Sequence, residues 1–544
     1  MARLRGLRHL PLALTGAVRR FAEDPGRGRA ALERAWPAAR RAPRGADPAA
    51  RVDRAVAEDR LAEAEEALSL IPETDSARRS CEISVMRLRG DLVAVATAEV
   101  ADARGRRARR LAQRQIEALT SPLPAWAAAR HDGSGDGIPP ARILHVVTNS
   151  LPLTQAGSTI RTQRILESQR DRGWDARAVT RPGYPVTYGD LAAASVEVVD
   201  GVPYLRLLPA VMPSERAVQS AYADMLTDVV RSWRPHLLHA ASDTANARAA
   251  LEVGRREGIP VAYEVRAFHE DTWLSRHGEE RARSSDTYRW MRERHTEVML
   301  AADLVTTLGE RMRDEIVQRG VDPDRVLIVP NAVPTGYLEG LRSPLEARSS
   351  LGIDDAFWVG SVATLHEAEG LDVLLDALAV LRAEGVDARA LIVGDGPARA
   401  DLRDQAMRLR VPLMSPGRIP VRDVLPYFDA LDVFAMPRAD TALNREVTGL
   451  KPLEAQARAR PVVGSDLPAV REVLVPGAPV VAPGDAGALA EALRGLLDPG
   501  ERQRQGDAGH AWIRAERTWP SVTQRYATAY AALGVPTEGG PASG

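Results

Sequence analysis

Over most of the chain, short apolar runs alternate with helix-forming stretches, and the whole alternation occurs twice. The first series begins with the run Arg142–Thr148 and ends with Val326–Val329, and the second begins with Phe357–Ala363. Apolar runs of this length are typical of parallel strands buried on both faces. Strands that alternate with helices predict an α/β fold with doubly wound parallel sheets. We therefore expect two Rossmann-like domains, an N-domain over 142–335 and a C-domain over 336–511, that bind ligands at the carboxyl ends of their strands.

The remaining segments are predicted to be simpler. We expect a basic, disordered tail over 1–50, a turn-rich linker over 126–141, a C-terminal helix over 512–533 and a disordered tail over 534–544. Residues 51–125 have helical periodicity that is broken repeatedly, which predicts an all-α region of helical hairpins. These hairpins are either of the tetratricopeptide type or part of a small helical bundle.

The breaks in this helical region predict where its helices end. Pro72 ends the first helix, and the later ones are expected over Ala77–Leu88, Leu92–Ala103 and Arg106–Leu119. Every motif that carries chemistry follows the linker. Residues 1–125 are therefore expected to be dispensable for the reaction.

Composition excludes several classes of protein. The apolar stretches are far shorter than the roughly 20 residues of a membrane-spanning helix. The net charge of -1 gives no global attraction to nucleic acid. The single cysteine, Cys81, excludes an internal disulfide and suits a reducing compartment, so we expect a cytoplasmic protein. The excess of arginine in residues 1–45 indicates a solvated tail or a weak, peripheral contact with the inner face of the cell membrane.

The sequence offers no convincing metal or resident-cofactor site. Gly394-Asp-Gly-Pro has the shape of a phosphate loop, but Arg399 stands where the dinucleotide fingerprint needs glycine. Asp322-Pro-Asp324 is formally a D-x-D motif, although proline between the aspartates predicts a turn. His236 and His239 lack a third ligand nearby, which favours a buried or edge pair over a metal site.

The strongest candidate site lies between Pro437 and Ala455. Glu446 and Glu454 are eight residues apart, and a helix predicted over Thr448–Arg458 places both near one face. The backbone N–H groups of Gly449, Leu450 and Lys451 would then lie at the helix start, where anions bind. Lys451 is the only lysine among 72 basic residues. Its retention in a chain that otherwise uses arginine suggests that the chemistry needs it.

Asparagine is almost as rare as lysine in this chain. Three of the four asparagines, Asn149, Asn331 and Asn444, are predicted to lie at strand ends or in loops near the site.

The segment from Arg142 to Leu533 resembles family 4 glycosyltransferases with the GT-B fold. The resemblance rests on motifs in the right order: Gly157 with Arg161, Tyr263–Glu270, Pro330–Val333, Val393–Pro397, Ala430–Pro437 and Glu446-x7-Glu454. It implies transfer of a sugar from a nucleotide-sugar to an acceptor hydroxyl, with retention of configuration and without a metal or other cofactor. The acceptor would be a glycan, a lipid-linked glycan or a small metabolite.

The resemblance also implies roles for individual residues. Glu446 and Lys451 are the expected catalytic residues, with Glu446 on the donor sugar, and Glu454 is expected to hold the ribose. Arg161 and Arg266 are expected on the acceptor or phosphate side. The other residues expected to bind the donor are Gly157, Gly360, Arg418, Arg438, Thr448, Gly449 and Leu450.

The chain departs from the family where two cations usually hold the diphosphate. It has Gly360-Ser361 and Glu369-Gly370 instead, a form found with Leu-Lys-Pro-Leu-Glu-Ala in a bacterial subgroup. We expect Lys451, helped by Arg438 or Arg445, to replace the missing charge. Two alternatives remain open: an inactive relative that binds sugar nucleotides, and a scaffold whose helical region recruits partners.

Overall fold

The computed structural model describes residues 9–23, 47–123 and 140–536. Most of the predicted tails and the linker lie outside these ranges. The chain divides into two compact units. Unit 1 contains the chain up to Thr306 together with Gln318–Val326 and the segment from Ala529, and unit 2 contains Thr307–Val317 and Leu327–Thr528.

Two mainly parallel sheets organise the α/β part. The first has eight strands in the order β3-β4-β2-β1-β5-β6-β7-β8, and the second has six in the order β11-β10-β9-β12-β13-β14. Only the pairing of β3 with β4 is reported as antiparallel among the paired strands of the described residues. The strands are β1 Arg142–Val147, β2 Asp175–Thr180, β3 Val196–Val199, β4 Val202–Arg206, β5 Leu237–Ala241, β6 Val261–Val265, β7 Leu304–Thr307, β8 Val326–Ile328, β9 Phe357–Val362, β10 Ala388–Val393, β11 Leu413–Gly417, β12 Val433–Met436, β13 Val462–Ser465 and β14 Val480–Val481.

Helices surround these strands, and helices joined by turns and loops form the described segment 47–123. They are α1 Leu10–Glu23, α2 Pro48–Ala57, α3 Leu61–Ser69, α4 Arg78–Arg89, α5 Leu92–Thr97, α6 Ala103–Thr120, α7 Gly157–Asp171, α8 Val218–Trp233, α9 Thr244–Glu257, α10 His269–Arg276, α11 Glu279–Ala282, α12 Asp286–Ala301, α13 Glu310–Gln318, α14 Pro344–Leu351, α15 Leu371–Ala383, α16 Arg399–Leu409, α17 Leu425–Asp429, α18 Ala442–Glu446, α19 Lys451–Ala457, α20 Pro468–Arg471, α21 Ala486–Gly495, α22 Pro499–Glu516 and α23 Trp519–Ala532.

Strand β12 shows why the strands of the second sheet are continuous apolar runs in the sequence. Phe434 and Met436 pack into one buried cluster, while Val433 and Ala435 pack into another. Successive side chains of a strand point to opposite faces, so two apolar layers require apolar residues at every position. The predicted α/β class is confirmed, and β12 delivers Pro437 and the candidate site at its carboxyl end.

Three strands were not expected. β4 contains Pro203 and β11 contains Pro416, and proline lowers the strand signal of a run. β14 has only two residues, Val480 and Val481, which is too short for a periodic pattern.

The C-terminal helix predicted over Trp512–Leu533 is broken. α22 ends at Glu516 and α23 begins at Trp519, because the intervening backbone pairs with Val333 instead of continuing the helix. The N–H of Val333 donates to Arg517 O at 2.8 Å, and the N–H of Trp519 donates to Val333 O at 3.1 Å. Pro520 has no N–H and is therefore well placed in a first helical turn.

The helical region differs from the prediction at two places. The helix expected over Leu92–Ala103 ends at Thr97, and α6 starts afresh where the Asp102 carboxylate accepts from the N–H of Gly105 at 2.8 Å. An additional helix, Pro48–Ala57, precedes the first predicted one. Cys81 is buried in the core of these helices. Their assignment to the tetratricopeptide type stays a prediction.

Candidate active site

The segment after β12 builds the candidate site in unit 2 from two short helices. Thr441 caps α18 by accepting from the N–H of Asn444, and α18 ends at Glu446. The helix predicted from Thr448 begins only at Lys451, as α19. Glu446 therefore lies before the start of α19, as expected, and Glu454 lies inside it, so helical periodicity does not relate the two carboxylates. Val447 is extended, with φ −99° and ψ 117°, so the chain changes direction between them.

Lys451 and Glu454 form an ion pair within the first turn of α19. Lys451 Nζ lies 2.7 Å from Glu454 Oε2, and it also lies 6.0 Å from the centre of the Phe428 ring. The side chain of Glu454 is 7% exposed and that of Lys451 is 29% exposed. The buried carboxylate thus fixes the ammonium of the only lysine while part of the lysine side chain stays accessible.

Arg438 supplies a second cation, and Glu369 faces it. Arg438 Nε lies 3.3 Å from Glu369 Oε2, while Arg438 Nη1 donates to Val447 O at 3.1 Å. Glu369, at a position where the resemblance led us to expect a cation, is thus an acid that pairs with an arginine of the neighbouring loop.

Gly370 allows this close approach of the two loops. Its φ is +64°, and a Cβ there would lie 1.9 Å from Pro437 O. The N–H of Ala439 donates to Ala368 O at 3.1 Å, and Asn444 Nδ2 donates to the same oxygen at 2.8 Å. Asn444 thus holds the two loops together and does not need a ligand to explain it.

Asn331 also has a structural partner in unit 2. Its Nδ2 donates to both the carbonyl oxygen and the hydroxyl of Thr448, at 3.2 Å each. Thr448, predicted to bind the donor, is itself buried. The adjacent Gly449 and Leu450 are partly exposed and lead directly into α19.

Glu446 has a partner that sequence reasoning missed. Glu446 Oε1 lies 3.0 Å from Arg311 Nε, and these residues are 135 positions apart. The Glu472 carboxylate accepts from the N–H groups of Glu310 and Arg311, at 3.0 and 2.9 Å, and so positions Arg311. Burial raises the pKa of Glu472, although these two amides favour its charged form.

Arg445 is directed away from the role suggested for it. Its Nε and Nη2 donate to the two oxygens of Asp440, at 2.5 and 2.8 Å, in an exposed bidentate pair. The expectation that Arg445 helps Lys451 is therefore replaced by Arg438, which is less exposed and reaches Glu369 and Val447.

Glycine is required at several positions near the site because the backbone of a neighbouring segment leaves no room for a Cβ atom. A Cβ at Gly360 would lie 1.9 Å from Leu391 O on the paired strand β10, and one at Gly394 would lie 1.8 Å from Ala363 O. Gly396 is similarly close to Leu365. Arg418, also expected on the donor side, is exposed just after β11.

Unit 1 contains a buried cluster of Arg161, Glu264 and Arg266. Arg161 Nε donates to Glu264 Oε1 at 2.8 Å, and Arg266 Nε donates to Glu264 Oε2 at 2.8 Å. Burial alone would raise the pKa of Glu264, but the two guanidinium groups, Arg266 foremost, hold it well below its usual range.

This cluster ties α7 to β6. Arg266 Nη1 also donates to Ser158 O and to the Thr162 hydroxyl, both at 2.8 Å. Both guanidinium groups are buried against protein, and the expected place of Arg161 and Arg266 on the acceptor or phosphate side stays a prediction. Gly157 is exposed as the first residue of α7.

His239 in β5 and His236 just before it both have protein partners. His239 is buried and stacks on His145 with ring centres 4.5 Å apart, while His236 Nδ1 accepts from the N–H of Arg142 at 3.0 Å. Burial lowers the pKa of His145 to about 4. Asp322 caps a single turn by accepting from the N–H of Asp324, as predicted for this motif.

One exposed titratable group at the end of β6 was not singled out from the sequence. His269 is exposed as the first residue of α10, between the buried Phe268 and Glu270. Its position, four residues beyond the end of β6 and three beyond Arg266, could have been inferred from the predicted strand. In the described ranges, no group of three His, Cys, Asp or Glu residues could hold a metal ion.

Two families match the α/β part of the chain. Residues 156–332 match the Glycosyl transferase 4-like domain, and residues 356–499 match Glycosyl transferases group 1. The chain carries the paired domains of a family 4-type glycosyltransferase. The two matches follow the two series of strands and cover the segments that hold Arg266 and Lys451.

Curated relatives support this assignment over part of their length. A GDP-mannose-dependent monoacylated alpha-(1-6)-phosphatidylinositol monomannoside mannosyltransferase of Corynebacterium glutamicum is 33% identical over 183 residues, or 33% of this chain and 48% of the relative. An alpha-D-kanosaminyltransferase of Streptomyces kanamyceticus is 26% identical over 55% of this chain and 78% of the relative. The chain thus spans about half the length of the first of these glycosyltransferases.

A solved structure gives the fold. Sucrose-phosphate synthase from Thermosynechococcus elongatus is similar over 72% of this chain and 99% of its own, with a TM-score of 0.58 and 18% identity. The α/β part of this glycosyltransferase therefore has the GT-B fold. None of the helices in the described part of the chain is long and apolar enough to cross a membrane.

Proposed function

We propose that this protein transfers a glycosyl group from a nucleotide-sugar to an acceptor hydroxyl, with retention of configuration and without a metal. The observation that carries the proposal is the arrangement after β12, where Lys451, Arg438 and two glutamates lie within one short segment and its partner loop. Cations at the carboxyl end of a parallel strand suit a diphosphate leaving group.

In this proposal the two cations stabilise the charge that develops on the leaving diphosphate. Arg438 and Lys451 are each held by a carboxylate, Glu369 and Glu454, so their positions are set before a ligand arrives. Glu454 is buried beside Lys451 and is proposed to orient the ribose. Glu446, held by Arg311, is proposed to bind the donor sugar.

The relatives suggest which co-substrates to test first. The Corynebacterium relative is named as dependent on GDP-mannose and as acting on a phosphatidylinositol mannoside, and the Streptomyces relative as a kanosaminyltransferase. We propose a nucleotide-sugar donor and either a lipid-linked or a small polyol acceptor, in cell-surface glycoconjugate synthesis or a related pathway. The arginine-rich start of the chain supports peripheral contact with the inner face of the cell membrane.

A panel of donors tests the proposal. Nucleotide release is measured for UDP-, GDP- and ADP-sugars with the full chain, with and without phosphatidylinositol in detergent micelles or 2-deoxystreptamine. Release of the nucleotide from at least one donor, with product of retained anomeric configuration by NMR, is expected. No release from any donor under any condition would contradict the enzymatic role.

A nucleotide-sugar-binding protein without turnover is the second candidate. It is favoured by one observation, the pairing of Arg438 with Glu369. The carboxylate of Glu369 would repel a diphosphate that binds to Arg438. Calorimetric binding of a nucleotide without its release from any donor in the panel would select this candidate.

Independence from metal is a separate expectation. The proposal assigns the role of a divalent cation to Arg438 and Lys451, which are positioned by their glutamates. Turnover in excess EDTA should equal turnover with Mg²⁺ or Mn²⁺. Loss of activity in EDTA that either ion restores would contradict this assignment.

A further inference from the structure

Helix α12 in unit 1 has two faces with different partners. One face contacts the segment that follows β6, and the other contacts the N-terminal helices. Together, the two sets of contacts connect the N-terminal helices, which lie outside the family matches, to the segment after β6, which lies inside one of them.

The first face of α12 carries His295, which is buried. His295 Nδ1 lies 3.0 Å from Glu270 Oε2, and His295 Nε2 lies 3.0 Å from the hydroxyl of Tyr263. Glu270 also pairs with the buried Arg319, whose guanidinium lies 4.2 Å from the centre of the Phe268 ring. These contacts hold both neighbours of the exposed His269.

The second set of contacts joins α12 to the N-terminal helices by hydrogen bonds in both directions. The N–H of Thr287 donates to Gly90 O at 3.2 Å, and the N–H of Val93 donates to the Asp286 carboxylate at 2.9 Å. Further along the helix, Arg294 Nη2 donates to Ser121 O at 2.6 Å. These contacts hold α12 in its first turn and near its middle.

At Gly90 the N-terminal helices approach their neighbours so closely that a Cβ atom would clash. It has φ +94° at the end of α4, and a Cβ there would lie 2.8 Å from Ser285 Oγ and 2.9 Å from the Trp273 ring. Ser285 caps α12, and Trp273 belongs to α10, so this one glycine contacts both helices that flank the 266–270 segment.

We propose that His295 is a positioning residue for the segment 266–270 and that the N-terminal helices hold His295 in place through α12. The inference rests on the proposed function and on the expectation that Arg161 and Arg266 lie on the acceptor or phosphate side. It revises the expectation that residues 1–125 are dispensable for the reaction. The helical region would then be part of the acceptor side and would affect transfer to the acceptor more than donor hydrolysis.

The test uses the full chain and two matched pairs of variants. Gly90→Ala is compared with Gly173→Ala, because Gly173 has φ +84° with nothing within 4 Å of a Cβ and pays the same backbone penalty without the clash. Arg294→Ala, which removes the contact with Ser121, is compared with Glu293→Ala at an exposed position of the same helix. The second pair keeps the test decisive if Gly90→Ala does not fold.

Two readouts distinguish positioning from general destabilisation. Amide hydrogen exchange of residues 263–276 should be about tenfold faster in Gly90→Ala and Arg294→Ala than in their controls, with exchange in unit 2 unchanged. Transfer from GDP-mannose to phosphatidylinositol micelles should show a KM for the lipid that is several-fold higher, while hydrolysis of GDP-mannose without lipid stays at the wild-type rate. His295→Gln should produce the same pattern.

Each result has a definite meaning. Exchange and kinetics equal to those of the controls would overturn the inference. A uniform rise in exchange over both units, or an equal loss of hydrolysis and transfer, would also overturn it, since it would mark a general loss of stability. A wild-type chain that releases no nucleotide contradicts the proposed function alone, because the exchange experiment needs no substrate.

Discussion

Replacement of Lys451 tests the donor site most directly. Its ammonium lies 2.7 Å from a carboxylate that is only 7% exposed, so the position of the charge is set within the first turn of α19. Loss of a charge-assisted contact to the diphosphate costs on the order of 1.5–3 kcal/mol, or roughly 10- to 150-fold in rate if the contact is felt in the transition state. Lys451→Ala should therefore reduce kcat by about this factor.

Lys451→Arg should also impair transfer, although it keeps the charge. A guanidinium is a broad planar fork, and its best geometry with Glu454 is bidentate, which would direct it along the carboxylate and away from a ligand. Stability should change by less than about 1 kcal/mol in Lys451→Arg, which keeps a cation beside Glu454, and by more in Lys451→Ala, which leaves that buried carboxylate without its counter-charge.

The assay is kcat at saturating donor, with thermal melting of each variant alongside. Arg471→Ala serves as the control, since Arg471 pairs with Asp466 on the exposed surface of the same unit. Wild-type turnover in Lys451→Arg would show that the only lysine is an accident of composition. A large loss of melting temperature in Lys451→Ala would instead assign Lys451 to folding.

Three further predictions concern neighbouring residues. Glu369→Gln should tighten the binding of GDP or UDP several-fold in calorimetry, because it removes the carboxylate that faces Arg438, the cation proposed to hold the diphosphate. The control Glu367→Gln, at an exposed position of the same loop, should leave this affinity unchanged. Gly370→Ala should abolish the cooperative melting of unit 2, since its Cβ would lie 1.9 Å from a carbonyl oxygen, whereas Gly352→Ala has open space at a similar φ and should cost only about 1–2 kcal/mol. Glu264→Gln should destabilise the protein by about 3–5 kcal/mol at pH 7, because it leaves buried guanidinium groups without a counter-charge. The folded-state pKa of Glu264 lies below its unfolded value, so its contribution is full above about pH 4.5 and declines as pH falls below that value, and urea unfolding of wild type and variant should converge in acid.

The sequence predicted the features that depend on local pattern. Apart from β4, β11 and β14, the apolar runs placed the strands of both sheets to within a residue or two, because strands such as β12 contribute side chains to two buried clusters. It also predicted the turn at Asp322 from the proline that follows. These features are determined by residues that are neighbours in the sequence, and no distant contact is needed to explain them.

Features that depend on distant partners were not predictable in the same way. Glu446 pairs with Arg311, which is 135 residues away. Glu264 forms a buried ion pair with Arg161, a residue that the family resemblance suggested for the acceptor or phosphate side. One chain carries no record of which of its many arginines meets which carboxylate. The start of α19 was placed three residues too early, at Thr448, although Pro452 in the first turn of α19 marks a helix start.

The charges of the candidate site have a consequence for binding. Arg438, Lys451 and Arg311 each face a glutamate, so the site holds its cations in place but offers a diphosphate little uncompensated charge. A nucleotide must therefore either displace a carboxylate or bind beside the existing pairs. If Glu369 is displaced, Glu369→Gln strengthens nucleotide binding. If the pairs persist and the glutamates act by orienting the cations, the same substitution loosens Arg438 and lowers kcat without tightening binding. Measuring affinity and turnover on the same variant separates a carboxylate that competes with the substrate from one that prepares the site for it.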